Sequence, residues 1–269
     1  MTLPNLETLL LDVNRFKGGI PTEFGLSNIT TFYVNSNLLT GTLPESMWGN
    51  LGLETLRVDM NYFNGTLSNS IGDLLSLKDL HLESNKFTGT VPLLFGRLSS
   101  LVTLSLAQNQ LTGTLRDYYS SFTSLAFFDV SQNALTGFIP SGLFELSTIQ
   151  TIALNNNKFD GNIPEVLGSA SSLQILSLYS NALTGSVPSI VPGSLANLQE
   201  MLLQKNSLTG SMPPSICELR VAGFGVLDMF WADCGATAAP MIQCTSPSCC
   251  TMCYPLAVQQ QGIFKLTGY

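Results

Sequence analysis

Cysteine is absent from the first 216 of 269 residues, histidine occurs once, and only 11% of positions are charged. Each scarcity closes off a class of function. One histidine cannot supply the H-E-x-x-H pair of a zinc hydrolase, and neither a G-x-S-x-G elbow nor a P-loop is present. No catalytic activity and no cofactor are therefore expected. With 11 Lys and Arg against 18 Asp and Glu, the formal charge is −7. Gripping a phosphate backbone takes clustered cations, so no nucleic-acid partner is expected. No apolar run approaches the ~18–20 residues that span a bilayer, so this segment is not expected to cross a membrane. The start, MTLPNLETLLLD, lacks the basic flank and small-residue cleavage site of a secretory signal. It enters the repeating pattern at once, which leads us to expect a longer parent chain that carries any signal, span or further domain.

What is present is repetition. Asparagines fall at 14, 37, 61, 85, 109, 133, 157, 181 and 206, spaced by 23, six times 24, and then 25 residues. A glycine follows each at the fourth position: Gly18, Gly41, Gly65, Gly89, Gly113, Gly137, Gly161, Gly185 and Gly210. Proline follows at the seventh in seven of nine copies, with Ser68 and Arg116 in the other two. A period of this length describes one coil of a stacked array.

Each conserved letter of the unit has a physical reason. In LVTLSLAQNQLTGTL (101–115), Leu104 and Leu106 alternate, so this stretch reads as a short strand with its leucines inward. Successive strands then lie side by side in a parallel sheet, roughly 4.8 Å apart. Asn109 stands where the chain leaves the sheet. Its carboxamide can satisfy backbone groups that the bend would orphan, so Asn14, Asn37, Asn61, Asn85, Asn109, Asn133, Asn157, Asn181 and Asn206 are expected to form a ladder. Glycine suits a tight turn or a close approach between coils. Proline fixes φ and drops a donor. Leu111, Leu115 and Tyr119 complete the interior, which neighbouring coils must close because one coil alone cannot bury it.

The strings LSLYSNALTGSVP (176–188) and LHLESNKFTGTVPLLFGRLSSL (80–101) closely resemble the plant-type leucine-rich repeat, over about residues 3–216. That resemblance implies an α/β solenoid: a right-handed superhelix with a concave parallel β-sheet, a second short-strand region near LTGTL, and short convex helices or 3-10 turns. Nine repeats are expected over 1–216, a cysteine-rich C-terminal cap over 217–254, and a tail over 255–269. It further implies an extracellular or cell-surface, receptor-like recognition scaffold for a protein, peptide or glycan ligand.

All six cysteines, Cys217, Cys234, Cys244, Cys249, Cys250 and Cys253, lie at one end. The C-x-x-C spacing there is open to a metal reading. An even count, no nearby histidine and the need to seal the last coil favour disulfides in an oxidising compartment. Six cysteines permit fifteen pairings, so connectivity stays open. The arrangement ADC…C…CC..C is similar to the cap of extracellular repeat proteins of diatoms and related algae. Asn28-Ile-Thr and Asn64-Gly-Thr are glycosylation sequons compatible with a secretory route.

Function in solenoids sits on the concave sheet, so outward strand residues are the candidates. Tyr33, Arg57, Asp59, His81, Glu83 and Asp129 gather chemically diverse groups in coils two to six, and Tyr179 lies further along. Arg57 and His81 are expected as lateral neighbours, as are Asp59 and Glu83. Two carboxylates are too few for Ca²⁺, so no metal site is expected. A second reading comes from TGT (40–42), NGT (64–66), TGT (88–90) and TGT (112–114). Stacked at constant rise, these threonines offer a flat hydroxyl–methyl array suited to adsorbing to ice.

Overall fold

The computed structural model describes residues 5–23, 28–117, 119–220, 227–233, 242 and 252–253. Eleven short strands run in chain order through one parallel sheet. They are Thr8–Leu10, Thr31–Tyr33, Thr55–Arg57, Asp79–His81, Thr103–Ser105, Phe127–Asp129, Thr151–Ala153, Ile175–Ser177, Glu200–Leu202, Met229–Ala232 and Met252–Cys253. Each pairs with the next without a register shift, so Phe32, Leu56, Leu80, Leu104, Phe128, Ile152, Leu176 and Met201 form one inward column. Every member of it is at most 2% exposed. This is a leucine-rich-repeat solenoid, as the resemblance implies.

The eight amides from Asn37 to Asn206 make the ladder. Asn109 donates from Nδ2 to the Leu106 carbonyl of its own coil at 3.1 Å and to the Leu82 carbonyl one coil back at 3.0 Å. Its Oδ1 accepts the Phe87 N–H at 3.0 Å. With a further bond to the Ala107 carbonyl at 3.1 Å, one side chain ties four backbone groups across two coils. Asn14 differs: it is exposed and reaches only Leu11 and Asp12 of its own coil. No preceding coil stands beside it among the described residues. For the same reason Phe16 of this coil is exposed, whereas its counterparts Phe63 and Phe87 are buried.

The residue before each asparagine is left-handed, from Val13 (φ 52°) through Gln108 (φ 54°) to Lys205 (φ 59°). Read from sequence, these look like outward strand residues. In the fold they form the turn that swings the asparagine side chain back onto the sheet's carbonyls.

A second parallel sheet of seven strands follows the turn, from Lys17–Gly18 through Leu38–Gly41, Tyr62–Thr66, Lys86–Gly89, Gln110–Thr114 and Ala134–Gly137 to Lys158–Phe159. All its glycines have a positive φ, and Gly65, Gly89, Gly113 and Gly137 add a close approach. A β-carbon on Gly113 (φ +78°) would stand 2.8 Å from the Thr90 methyl of the preceding coil. The convex side carries a 3-10 turn in each of six successive coils: Glu45–Gly49, Asn69–Asp73, Leu93–Arg97, Tyr119–Ser121, Ser141–Glu145 and Glu165–Ser169. Pro44, Pro92, Pro140 and Pro164 precede four of them. Where Ser68 replaces proline, its hydroxyl caps the turn by accepting the Ser70 N–H at 3.2 Å.

The sheet does not stop at residue 216. Met229–Ala232 pairs with Glu200–Leu202, and Met252–Cys253 pairs with that strand in turn. The cysteine-rich segment therefore prolongs the sheet. Cys217 ends a short helix, Pro214–Cys217, and is disulfide-bonded. The expectations for Cys234, Cys244, Cys249, Cys250, the Cys253 side chain and the 255–269 tail lie outside the described residues.

Candidate functional site

Three-residue strands with a central inward side chain must turn their first and third residues to the concave face. The third-residue column runs Leu10, Tyr33, Arg57, His81, Ser105, Asp129, Ala153, Ser177, Leu202 and Trp231. Arg57 and His81 are direct lateral partners, as the spacing predicts.

Tyr33, Arg57, Asp59, His81 and Glu83 meet in one cluster. The Arg57 guanidinium lies 5.6 Å from the Tyr33 ring centroid, a cation–π distance. Its Nε stands 3.5 Å from Asp59 Oδ1. His81 Nδ1 lies 3.3 Å from Glu83 Oε1. Asp129 stands one strand beyond Ser105 in the same column and holds the Ser131 N–H at 2.8 Å. Tyr179 sits two coils further on and does not join the cluster.

One expectation needs correction. Asp59 is expected to face outward, yet it is only 2% exposed, and Ser131, Asn155 and Gln204, which stand likewise two residues past their strands, are also buried. The left-handed turn that follows folds the chain over these positions, so short side chains there are sealed beneath their neighbours. Burial accordingly pushes the Asp59 carboxyl above its ordinary range, helped by the Glu83 charge and opposed by Arg57 and His81. Burial also works against the Glu83 carboxylate. There the His81 hydrogen bond and charge, with backbone and Ser105 hydrogen bonds, more than offset it and hold the group low. Asp129 is raised by burial despite its bonds to Ser131, with Glu83 adding to the rise.

The sequence reading missed a whole column. Thr31, Thr55, Asp79, Thr103, Phe127, Thr151, Ile175, Glu200 and Met229 are the first residues of their strands and share the concave face. The signal was available, since period-two alternation places Thr55 on the same face as Arg57. Trp231, beside Leu202, was missed because the repeat pattern ends before it.

On the second sheet, Thr42, Thr66, Thr90 and Thr114 are exposed and each lays its methyl over the glycine of the next coil. Thr88, Thr112 and Thr136 donate their hydroxyls to Gly65, Gly89 and Gly113 carbonyls at 3.2–3.3 Å. The array gives way at Phe138, which is 72% exposed.

Fold and repeat together define a leucine-rich-repeat protein resembling plant receptor ectodomains. The Leucine Rich Repeat family model matches residues 76–98 and 197–219. A plant peptide hormone receptor, RGFR1 in complex with RGF2, is 34% identical over 80% of this chain and 34% of its own, with a TM-score of 0.76. The ectodomain of the Arabidopsis receptor kinase HAESA, in complex with an IDA peptide hormone, is 35% identical over 77% of this chain and 35% of its own, with a TM-score of 0.73. The chain thus spans about a third of the length of these receptor structures. A plant ice-binding protein is 25% identical over 91% of this chain and 77% of its own, with a TM-score of 0.72. No curated protein matches the sequence significantly.

Proposed function

We propose that this chain is the extracellular recognition region of a receptor-like protein and binds a peptide ligand on its concave sheet, without catalysis. The observation that carries this reading is the register of three consecutive strands. It sets Tyr33, Arg57 and His81 side by side, with Asp59 and Glu83 behind them. Arginine and tyrosine are typical anchors of such contacts, and a rigid sheet holds them ready at little entropic cost. Asp129 and Tyr179 extend the surface along the solenoid. The peptide-bound receptors to which the chain is similar support this choice over a larger protein or a glycan. The six cysteines complete the reading as a disulfide cap in an oxidising compartment, with the exposed Asn28 and Asn64 as its glycan sites. Panning a displayed random-peptide library on the immobilised chain tests the idea. Enriched peptides should lose at least about tenfold in affinity to the Arg57→Ala/His81→Ala double variant, about 1.4 kcal/mol. Undiminished binding to a folded double variant moves the site elsewhere.

A second reading is favoured by one feature, the ordered Thr-Gly-Thr face of the second sheet, and by the similarity to a plant ice-binding protein. Thermal hysteresis that disappears in Thr90→Tyr/Thr114→Tyr would establish ice adsorption. Absence of hysteresis in the parent chain leaves the concave face as the working surface.

A further inference from the structure

We propose that Asp59, His81 and Glu83 form a binding site for a divalent transition-metal ion of the zinc class. One donor atom from each lies within 4.8 Å of the others. The His81 Nδ1 to Glu83 Oε1 separation of 3.3 Å is the edge of a tetrahedron whose metal bonds are about 2.0–2.1 Å long. That edge is in place, and the Asp59 donor, within 4.8 Å of the other two, must draw in to close the third corner.

The second, independent observation is the state of the carboxylate oxygens. Asp59 is 2% exposed, and its Oδ1 has no hydrogen-bond donor. Glu83 Oε2 is likewise buried without one. Arg57 Nε faces Asp59 Oδ1 at 3.5 Å, which gives charge but no aligned hydrogen bond. Buried acceptors left this way are costly and call for an explanation. A cation held by His81 Nδ1 and Glu83 Oε1 supplies the partner that Asp59 Oδ1 lacks.

The donor chemistry selects the ion. Calcium gathers six to eight oxygens, whereas an imidazole nitrogen and two carboxylates suit zinc-class ions, with three protein ligands and one open position. The ligands come from adjacent strands and the residues just past them, so the scaffold is rigid. Water or an incoming carboxylate or imidazole would complete the set. Arg57 is the competing cation. Its guanidinium already lies over Tyr33 and has that ring to rest on when it leaves Asp59.

The test is calorimetric titration of Zn²⁺ into the EDTA-treated, dialysed chain, with Co²⁺ absorption as a second signal. One ion per chain is expected, with a visible Co²⁺ band. His81→Ala and, as a shape-conserving variant, His81→Gln should each weaken Zn²⁺ binding at least about tenfold and remove the band. Arg57→Ala should tighten binding severalfold by removing the competitor. Circular-dichroism melts confirm that each variant is folded. Zn²⁺ binding that persists unchanged in both His81 variants places the ion elsewhere, the cysteines included, and overturns the proposal. So does absence of binding to the parent chain at about 100 μM Zn²⁺.

Discussion

The Thr90 methyl sits 2.8 Å from where a β-carbon on Gly113 would stand, while the same construction at Gly41 meets nothing within 4 Å. Both glycines have positive φ, +78° and +84°. The repeat therefore uses glycine for two separable reasons, and mutation can separate them. Gly41→Ala should cost only the left-handed strain, about 1–2 kcal/mol. Gly113→Ala should cost more, and adding Thr90→Ser should recover the difference. Urea melts of the four chains check this, and equal losses at the two glycines would refute it.

The amide ladder is graded along the chain. Asn109→Ala strips a partner from the Phe87 N–H and from the Leu82 and Leu106 carbonyls. A loss of about 1–3 kcal/mol is expected, read as a lower denaturation midpoint. Asn14→Ala removes bonds confined to its own exposed coil and should fall within about 0.5 kcal/mol of the parent.

Val13 is a β-branched residue held at φ 52° and 75% exposed. It gives up backbone energy and buries almost nothing in return. Val13→Asn should raise stability by up to about 1 kcal/mol, since asparagine tolerates this conformation. A melting temperature that drops instead would mean the valine makes a contact that its exposure does not reveal.

Asp129 should leave a signature in pH. Its carboxyl is raised in the fold by burial, with the Glu83 charge facing it and Ser131 opposing. A raised carboxylate stabilises the fold below its unfolded pKa, near 3.9, and loses that contribution as pH rises through the folded value. Asp129→Asn keeps an oxygen for the Ser131 N–H and removes the charge. It should melt higher than the parent at pH 7, with the gap closing toward pH 3. Parallel melting curves at the two pH values would remove burial as the cause.

Asn64 lies in the strand of the second sheet that runs between the strands of Thr40 and Thr88. A glycan there would cover the threonine face but leave the concave sheet open. Mass spectrometry on secreted protein decides occupancy. A glycosylated Asn64 predicts no thermal hysteresis even if the unglycosylated chain shows some.

The repeat itself was fully legible, because asparagine, glycine and the inward leucines each answer a local backbone demand. The lateral pairing of Arg57 with His81 followed from a constant period alone. Two things were not legible. The burial of Asp59 depends on the left-handed turn at Met60, and Met60 belongs to no residue class that favours such a turn. Nothing in its letter signals it. The gathering of Asp59, His81 and Glu83 within one ion's reach depends on side-chain direction across two coils, which spacing does not specify. Trp231 escaped for another reason. It joins the sheet from a segment with no repeat signature.

Because every strand pairs with its neighbour in unchanged register from Thr8 to Ala232, the molecule has no privileged centre. Its length is a count of interchangeable slices. Splicing a whole slice in or out would lengthen or shorten the spring while leaving each remaining contact intact. Removing part of one would put asparagines against leucines all along the cut. Diversity in such a chain is gained by adding or repainting slices, one rung at a time, without redesigning a core.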